Sequence, residues 1–158
     1  MAKLYICGGV WAAVDDADYD WLNRYCWYFD GRYAFYMLRI GSKYRKKYMH
    51  SMINKTPKGF CTDHIDGNKL NNRRSNLRTA TKSQNSQNRP VSPTSTSGYK
   101  GVCLCKKTGN WLARIKLYAK TIQLGSFPTK EAAAIAYNNA AIKHFKDFAC
   151  LNEVRAIG

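Results

Sequence analysis

Between Arg89 and Gly98 the chain reads Arg-Pro-Val-Ser-Pro-Thr-Ser-Thr-Ser-Gly. Two prolines and a run of small hydroxyl residues offer nothing to pack and remove main-chain donors, so no core runs through this stretch. The sequence therefore divides into residues 1–90, a linker at 91–97, and residues 98–153. Each part is short enough to hold only one small core. A hydrophobic content of 45% is ordinary for globular protein and argues against wholesale disorder.

The charge is not ordinary. Lys and Arg number 26 against 10 Asp and Glu, a formal net charge of +16, with a pI near 9.8. The excess is shared: residues 1–90 carry 16 basic against 7 acidic side chains, and the remainder 10 against 3. Both parts are thus suited to one polyanion, and the Tyr and Trp interspersed among the charges suit nucleic acid. The acid-free run Arg39, Lys43, Arg45, Lys46, Lys47, Lys55 and Lys58 reads as a phosphate-facing surface. No apolar run approaches the roughly 20 residues of a membrane span. Met1 to Val14 lacks the apolar core and cleavage site of a signal peptide, so a soluble intracellular protein with no membrane partner is expected. The six cysteines then read as free thiols. No C-x-x-C pair occurs, and Cys103-x-Cys105 has no second pair with which to hold zinc.

In the first part, Leu4–Cys7 and Val10–Val14 flank Gly8-Gly9 as a hairpin. Asp15 or Asp16 can cap a helix running to about Tyr25. Strands are expected at Trp27–Phe29 and Tyr33–Arg39, whereas Tyr44 to Ile53 fits strand or helix equally. The stretch Asp63-His64-Ile65-Asp66-Gly67-Asn68 then sets a carboxylate beside an imidazole at a strand end before a sharp turn. Leu77–Ala80 reads as the returning strand. Thr81-Lys82-Ser83-Gln84 has the spacing of a capping box and opens a helix carrying Asn85. This inventory suits metal-assisted phosphodiester cleavage. Asp63 and the Asn85 carbonyl are hard oxygen donors for Mg²⁺, with Mn²⁺ as the alternative. His64 can take a proton from water near neutral pH. Asn76 can tie down the histidine loop, and Arg73, Arg74 or Lys69 can clamp phosphates. His144 reads as a packed residue, and His50 as either packed or in contact with phosphate.

The run from Asp63 to Arg78, with a twelve-residue step from His64 to Asn76 and a nine-residue step from there to Asn85, resembles the HNH endonucleases of the ββα-metal type, above all phage and intron-encoded homing enzymes. The resemblance is strong over about Tyr48 to Arg89. It implies that His64 is the general base, that Asp63 and Asn85 bind one divalent ion, and that Asn76 orients His64. It also implies double-stranded DNA as partner, no small-molecule cofactor, a monomer or weak dimer, and a phage- or intron-encoded protein working in host cytoplasm. Asn85 stands where the family name has its last histidine.

The second part predicts three short strands, Gly98–Cys105, Trp111–Tyr118 and Thr121–Gly125, with a turn at Ala119-Lys120. A helix follows from Lys130 to about Phe145, with Thr129 as N-cap. Ser97-Gly98-Tyr99-Lys100-Gly101-Val102, Gly109 to Ile115, Leu124 to Phe127 and Glu131 to Asn138 resemble the APETALA-type (ethylene-response-factor) DNA-binding domain. That resemblance implies a sheet laid in the major groove and backed by the helix. Strand alternation puts Val102, Leu104, Ala113, Ile115, Leu117, Ile122 and Leu124 toward the helix. It puts Lys100, Cys103, Cys105, Arg114, Lys116, Tyr118, Thr121 and Gln123 toward DNA, with Arg114 suited to guanine and Gln123 to adenine. Cys103 and Cys105 replace the usual arginines and Thr108 a tryptophan, so the plant base preference does not carry over.

The expectation is an α+β chain: a ββα-metal HNH nuclease domain with an N-terminal α+β extension, then a small three-stranded antiparallel sheet packed on one helix. Its expected activity is site-directed DNA cleavage, a nick if it acts as a monomer. The rival is a DNA-binding regulator with an inactive nuclease part.

Overall fold

The structure, a computed structural model, describes residues 2–118 and 120–154. It is mixed α+β with small antiparallel sheets, in two compact units, Met1–Ser86 and Gln87–Gly158. No helix among the described residues is long and apolar enough to cross a membrane.

In the first unit, β1 (Ala2–Ile6) and β2 (Val10–Val14) pair as a hairpin. Asp15 precedes α1 (Asp16–Leu22) with extended backbone, and the helix stops at Leu22, a turn earlier than its apolar spacing predicts. There the Trp27 indole Nε1 donates to the Leu22 carbonyl at 2.8 Å, giving one of the orphaned C-terminal carbonyls a partner. β3 (Tyr28–Phe29), β4 (Ala34–Ile40) and β5 (Lys43–Tyr48) form a three-stranded sheet in that order. The ambiguous stretch Tyr44 to Ile53 resolves into the end of β5 and a short helix, α2 (Met49–Ile53). β6 (Cys61–His64) and β7 (Leu77–Ala80) pair with Asp63 opposite Arg78 and His64 opposite Leu77. α3 (Lys82–Gln87) follows. Its start is a reciprocal capping box: Thr81 N donates to Gln84 Oε1 at 2.9 Å and Gln84 N to Thr81 Oγ1 at 3.2 Å. The core gathers Leu4, Ile6, Val14, Leu22, Trp27 and Met49 from five of these elements and loops.

In the second unit, β8 (Val102–Leu104), β9 (Trp111–Leu117) and β10 (Lys120–Phe127) form a sheet with β9 central. α4 (Lys130–Phe145) packs on it. Thr129 caps α4, its Oγ1 accepting from Ala132 N at 3.2 Å. Ala133, Ala134 and Ala141 are buried under the sheet, and their small size lets helix and strands approach closely. The expected Ala119-Lys120 turn falls partly outside the described residues, since Ala119 is not among them.

Three expectations need correction. Leu104 and Ile122 were expected under the helix but are 46% and 45% exposed. Leu104 ends β8, and Ile122 lies on the edge strand β10, just before its register shift between Gln123 and Gly125. His144 is exposed rather than packed. Within the expected linker, Ser97 is buried and donates to the carbonyls of Tyr99 and Val102, so it belongs to the second fold.

Gly101 has φ +76°, and a Cβ there would lie 2.2 Å from the Tyr137 ring and 2.6 Å from the Arg114 carbonyl. Gly101→Ala should therefore destabilise the second unit by about 3–5 kcal/mol through clash and left-handed strain. Urea unfolding followed by Trp111 fluorescence reads this, and a variant as stable as wild type contradicts the packing.

Candidate active site

The candidate site forms where β6 ends. Asp63 is 1% exposed and His64 is 0% exposed. Asp63 Oδ2 accepts from Arg78 Nε at 2.8 Å, with Arg78 Nη2 also at 2.8 Å. This pair follows from hairpin register, since the two residues face each other across β6 and β7. Beyond His64, Gly67 takes φ +76° and Gly67 N donates to the His64 carbonyl at 3.0 Å, closing the turn.

Asp66 and Asn76 then knit the loop together. Asn76 Oδ1 accepts from Asp66 N at 3.0 Å, and Asn76 Nδ2 donates to Asp66 Oδ1 and to the Asn71 carbonyl, both at 2.8 Å. Ile65 N donates to the Asn76 carbonyl at 2.9 Å. Asn71 Nδ2 reaches Asp66 Oδ2 at 2.6 Å, and Asn68 N reaches Asp66 Oδ1 at 2.8 Å. Burial alone would push the Asp66 carboxyl up, but these donors from Asn71, Asn76 and Asn68 outweigh it and hold it below its ordinary value.

The His64 ring is enclosed by other rings and amides. The His50 ring centroid lies 5.3 Å away in an edge-to-face arrangement, and Tyr33 lies at 6.2 Å. Tyr48 stacks on His50 at 5.5 Å. Asn72, 0% exposed, places Oδ1 3.2 Å from His64 Nε2. Burial lowers the pKa of His64. Burial, the neighbouring His64 and Lys69 together lower that of His50 to about 3. Both imidazoles are therefore neutral at pH 7. The sequence points to an imidazole open to the DNA backbone, whereas here aromatic packing covers it.

Among the other expected site residues, Asn85 lies half-buried on α3. Arg73 Nε bonds Asn71 Oδ1 at 2.9 Å. Arg74, expected on phosphate, instead makes a two-pronged bond to buried Asp18, with Nη2 to Oδ1 at 2.7 Å and Nε to Oδ2 at 2.8 Å. In the second unit, Arg114, Lys116, Tyr118, Thr121 and Gln123 are exposed on the sheet, with Arg114 opposite Gln123 and Lys116 opposite Thr121. Lys100 departs from that set: its ammonium donates to the carbonyls of Gln87 and Arg89, and burial lowers its pKa. Sequence reasoning missed Asn72 and Arg78. Strand register would have revealed Arg78; Asn72 sits in irregular chain with no periodic signal.

The family model for HNH endonuclease matches residues 55–87, which span this site from the approach to β6 through α3. An uncharacterised HNH endonuclease of Acanthamoeba polyphaga mimivirus is 33% identical over 148 residues, covering 92% of this chain and 76% of the relative. The chain belongs to the HNH endonuclease family. A second relative of this HNH endonuclease, Protein 3.8 of Escherichia phage T7, is 35% identical over 88 residues, 56% of the chain and 73% of the relative. APETALA2-like protein 2 of Oryza sativa is 47% identical over 47 residues, only 30% of this chain and 11% of the plant protein. No solved structure matches. HNH endonucleases act on DNA and generally use a divalent metal ion. The Asp63 carboxylate, on β6, and the Asn85 amide oxygen, on α3, are of the hard kind such ions take. Arg78 already holds the Asp63 carboxylate.

The two buried imidazoles give a pH signature. Their folded pKa values lie below the unfolded value, so the unfolded chain binds protons first as pH falls below about 6.5. For His50, with its folded pKa near 3, stability should drop by about 2 kcal/mol between pH 6.5 and 5, before carboxylates titrate, and His64 contributes with the same sign. His50→Phe should flatten that limb in urea titrations; an unchanged slope places the effect elsewhere.

Proposed function

We propose that the chain is a site-directed, homing-type DNA endonuclease whose first unit cuts and whose second unit supplies affinity and register. The observation that carries this reading is a neutral His64 fixed at the end of β6 beside Asp63, with its loop locked by the Asp66–Asn76 bonds. On this reading β6, β7 and α3 form the ββα-metal unit. His64 is the general base and takes a proton from the water that attacks the scissile phosphorus in line. Asn76 holds the loop on which His64 sits. Asp63 and Asn85 would hold one divalent ion, Mg²⁺ or Mn²⁺. When bound, that ion offsets charge on the phosphoryl oxygens and the departing 3′ oxygen. Tyr33 is the least buried of the rings over His64, so it is the cover that arriving DNA displaces.

The exposed sheet face of the second unit supports an APETALA-type major-groove contact. Arg114 and Gln123 stand side by side as base readers, and Lys116, Tyr118 and Thr121 flank them. Joining reader and cutter in one chain raises the cutter's local concentration at the site. One such site per chain gives a nick from a monomer. A second reading, a DNA-binding regulator without cleavage, draws on the burial of His64 and the Arg78 hold on Asp63.

With Mg²⁺ or Mn²⁺ and cognate DNA, His64→Ala should cut about 10²–10⁴-fold more slowly and bind as before. Mapping cleavage ends on a phage-derived library identifies the site; equal inertness of wild type and variant there favours the regulator. Lys116→Ala should reduce the slope of log affinity against log salt by about 1, whereas Arg114→Ala should relax base preference at its position. An unchanged slope removes this face from the interface.

A further inference from the structure

Asn72 lies outside every regular element, yet it is fully buried against His64. Its position is set from the N-terminal hairpin. Asn72 N donates to the Ala13 carbonyl at 2.8 Å, and Ala13 N donates to the Leu70 carbonyl at 2.9 Å. The segment thereby lies along β2 as a one-residue parallel bridge, Ala13 to Asn71. Two acids fix its far end: Arg74 N donates to Asp15 Oδ2 at 2.9 Å, and the Arg74 guanidinium grips Asp18. The Asp18 carboxyl, held low first by Arg74, stays ionised to do so. None of Ala13, Asp15 or Asp18 falls within residues 55–87.

We propose that Asn72 is a positioning residue that selects the working tautomer of His64, and that the β1–β2–α1 extension is the brace that holds Asn72 in place. An amide oxygen can only accept, so Asn72 Oδ1 requires the proton on Nε2 of a neutral imidazole. The basic lone pair is then on Nδ1, the nitrogen that takes the proton from water. The inference rests on His64 being the general base, but the tautomer itself is a property of the metal-free protein.

The test is a two-bond ¹H–¹⁵N correlation spectrum of the full chain with ¹⁵N-labelled histidine, at a pH where His64 is neutral. Wild type should show the proton on Nε2. Asn72→Ala should move His64 toward a mixture of tautomers and lower kcat about 10–100-fold, with KM for DNA within about twofold. Asn72→Asp, which keeps an accepting oxygen, should retain the wild-type tautomer. Asp18→Asn should produce a smaller shift of the same sign. A wild-type ring protonated on Nδ1 overturns the proposal without any variant having to fold. So does a folded Asn72→Ala protein with unchanged tautomer and kcat. Undiminished cutting by His64→Ala would instead end the general-base reading and leave the tautomer result standing.

Discussion

The main-chain pairing of Ala13 with Leu70 and Asn72 is the constraint on which the candidate site depends. The segment between the turn after β6 and the start of β7 has no strand partner of its own, and an irregular chain of this length loses its backbone entropy only if something repays it. The repayment comes from two directions. Inside the loop, Asp66 and Asn76 exchange side-chain and main-chain bonds. Outside it, β2 lends two hydrogen bonds and α1 lends Asp18. The first closes the loop on itself; the second fixes where it sits against the core.

The sequence made the regular elements legible and the irregular ones not. Thr81 to Gln84 announced a helix start because a capping box is local chemistry, and the structure has its two reciprocal bonds. Thr129 announced α4 for the same reason. The Tyr44–Ile53 stretch was illegible because a charged edge strand and a short helix follow each other with no turn residue between them. Alternation failed at Leu104 and Ile122 because it tells which way a side chain points, not whether anything lies there. Asp63 and His64 could be picked out by chemistry, but the burial of His64 depends on Tyr33, His50 and Asn72, which only the tertiary fold brings to it. The fate of Arg74 was hidden likewise: its partner Asp18 is 56 residues away in sequence.

The two units spend polar groups differently. In the first, amides and carboxylates organise a loop beside two imidazoles. In the second, they fasten the chain ends of a small sheet. Asn138 and Asn152 exchange side-chain and main-chain bonds at 2.8–2.9 Å, and Asn152 also brackets the peptide of Lys100. Lys100 in turn holds the carbonyls of Gln87 and Arg89. A lysine that reads as a surface charge is thus a fastener for the segment leading into β8.

Strand β5 is exposed along its whole basic stretch, Lys43 to Lys47, at the free edge of its sheet. An open row of unpaired amides and carbonyls invites the same strand of another molecule, the first step toward aggregation. Lys43, Arg45, Lys46 and Lys47 line that row, so two copies approaching edge to edge bring like charges together before any ladder can form. The positive charge that draws a polyanion to this chain also keeps each molecule from templating on the next.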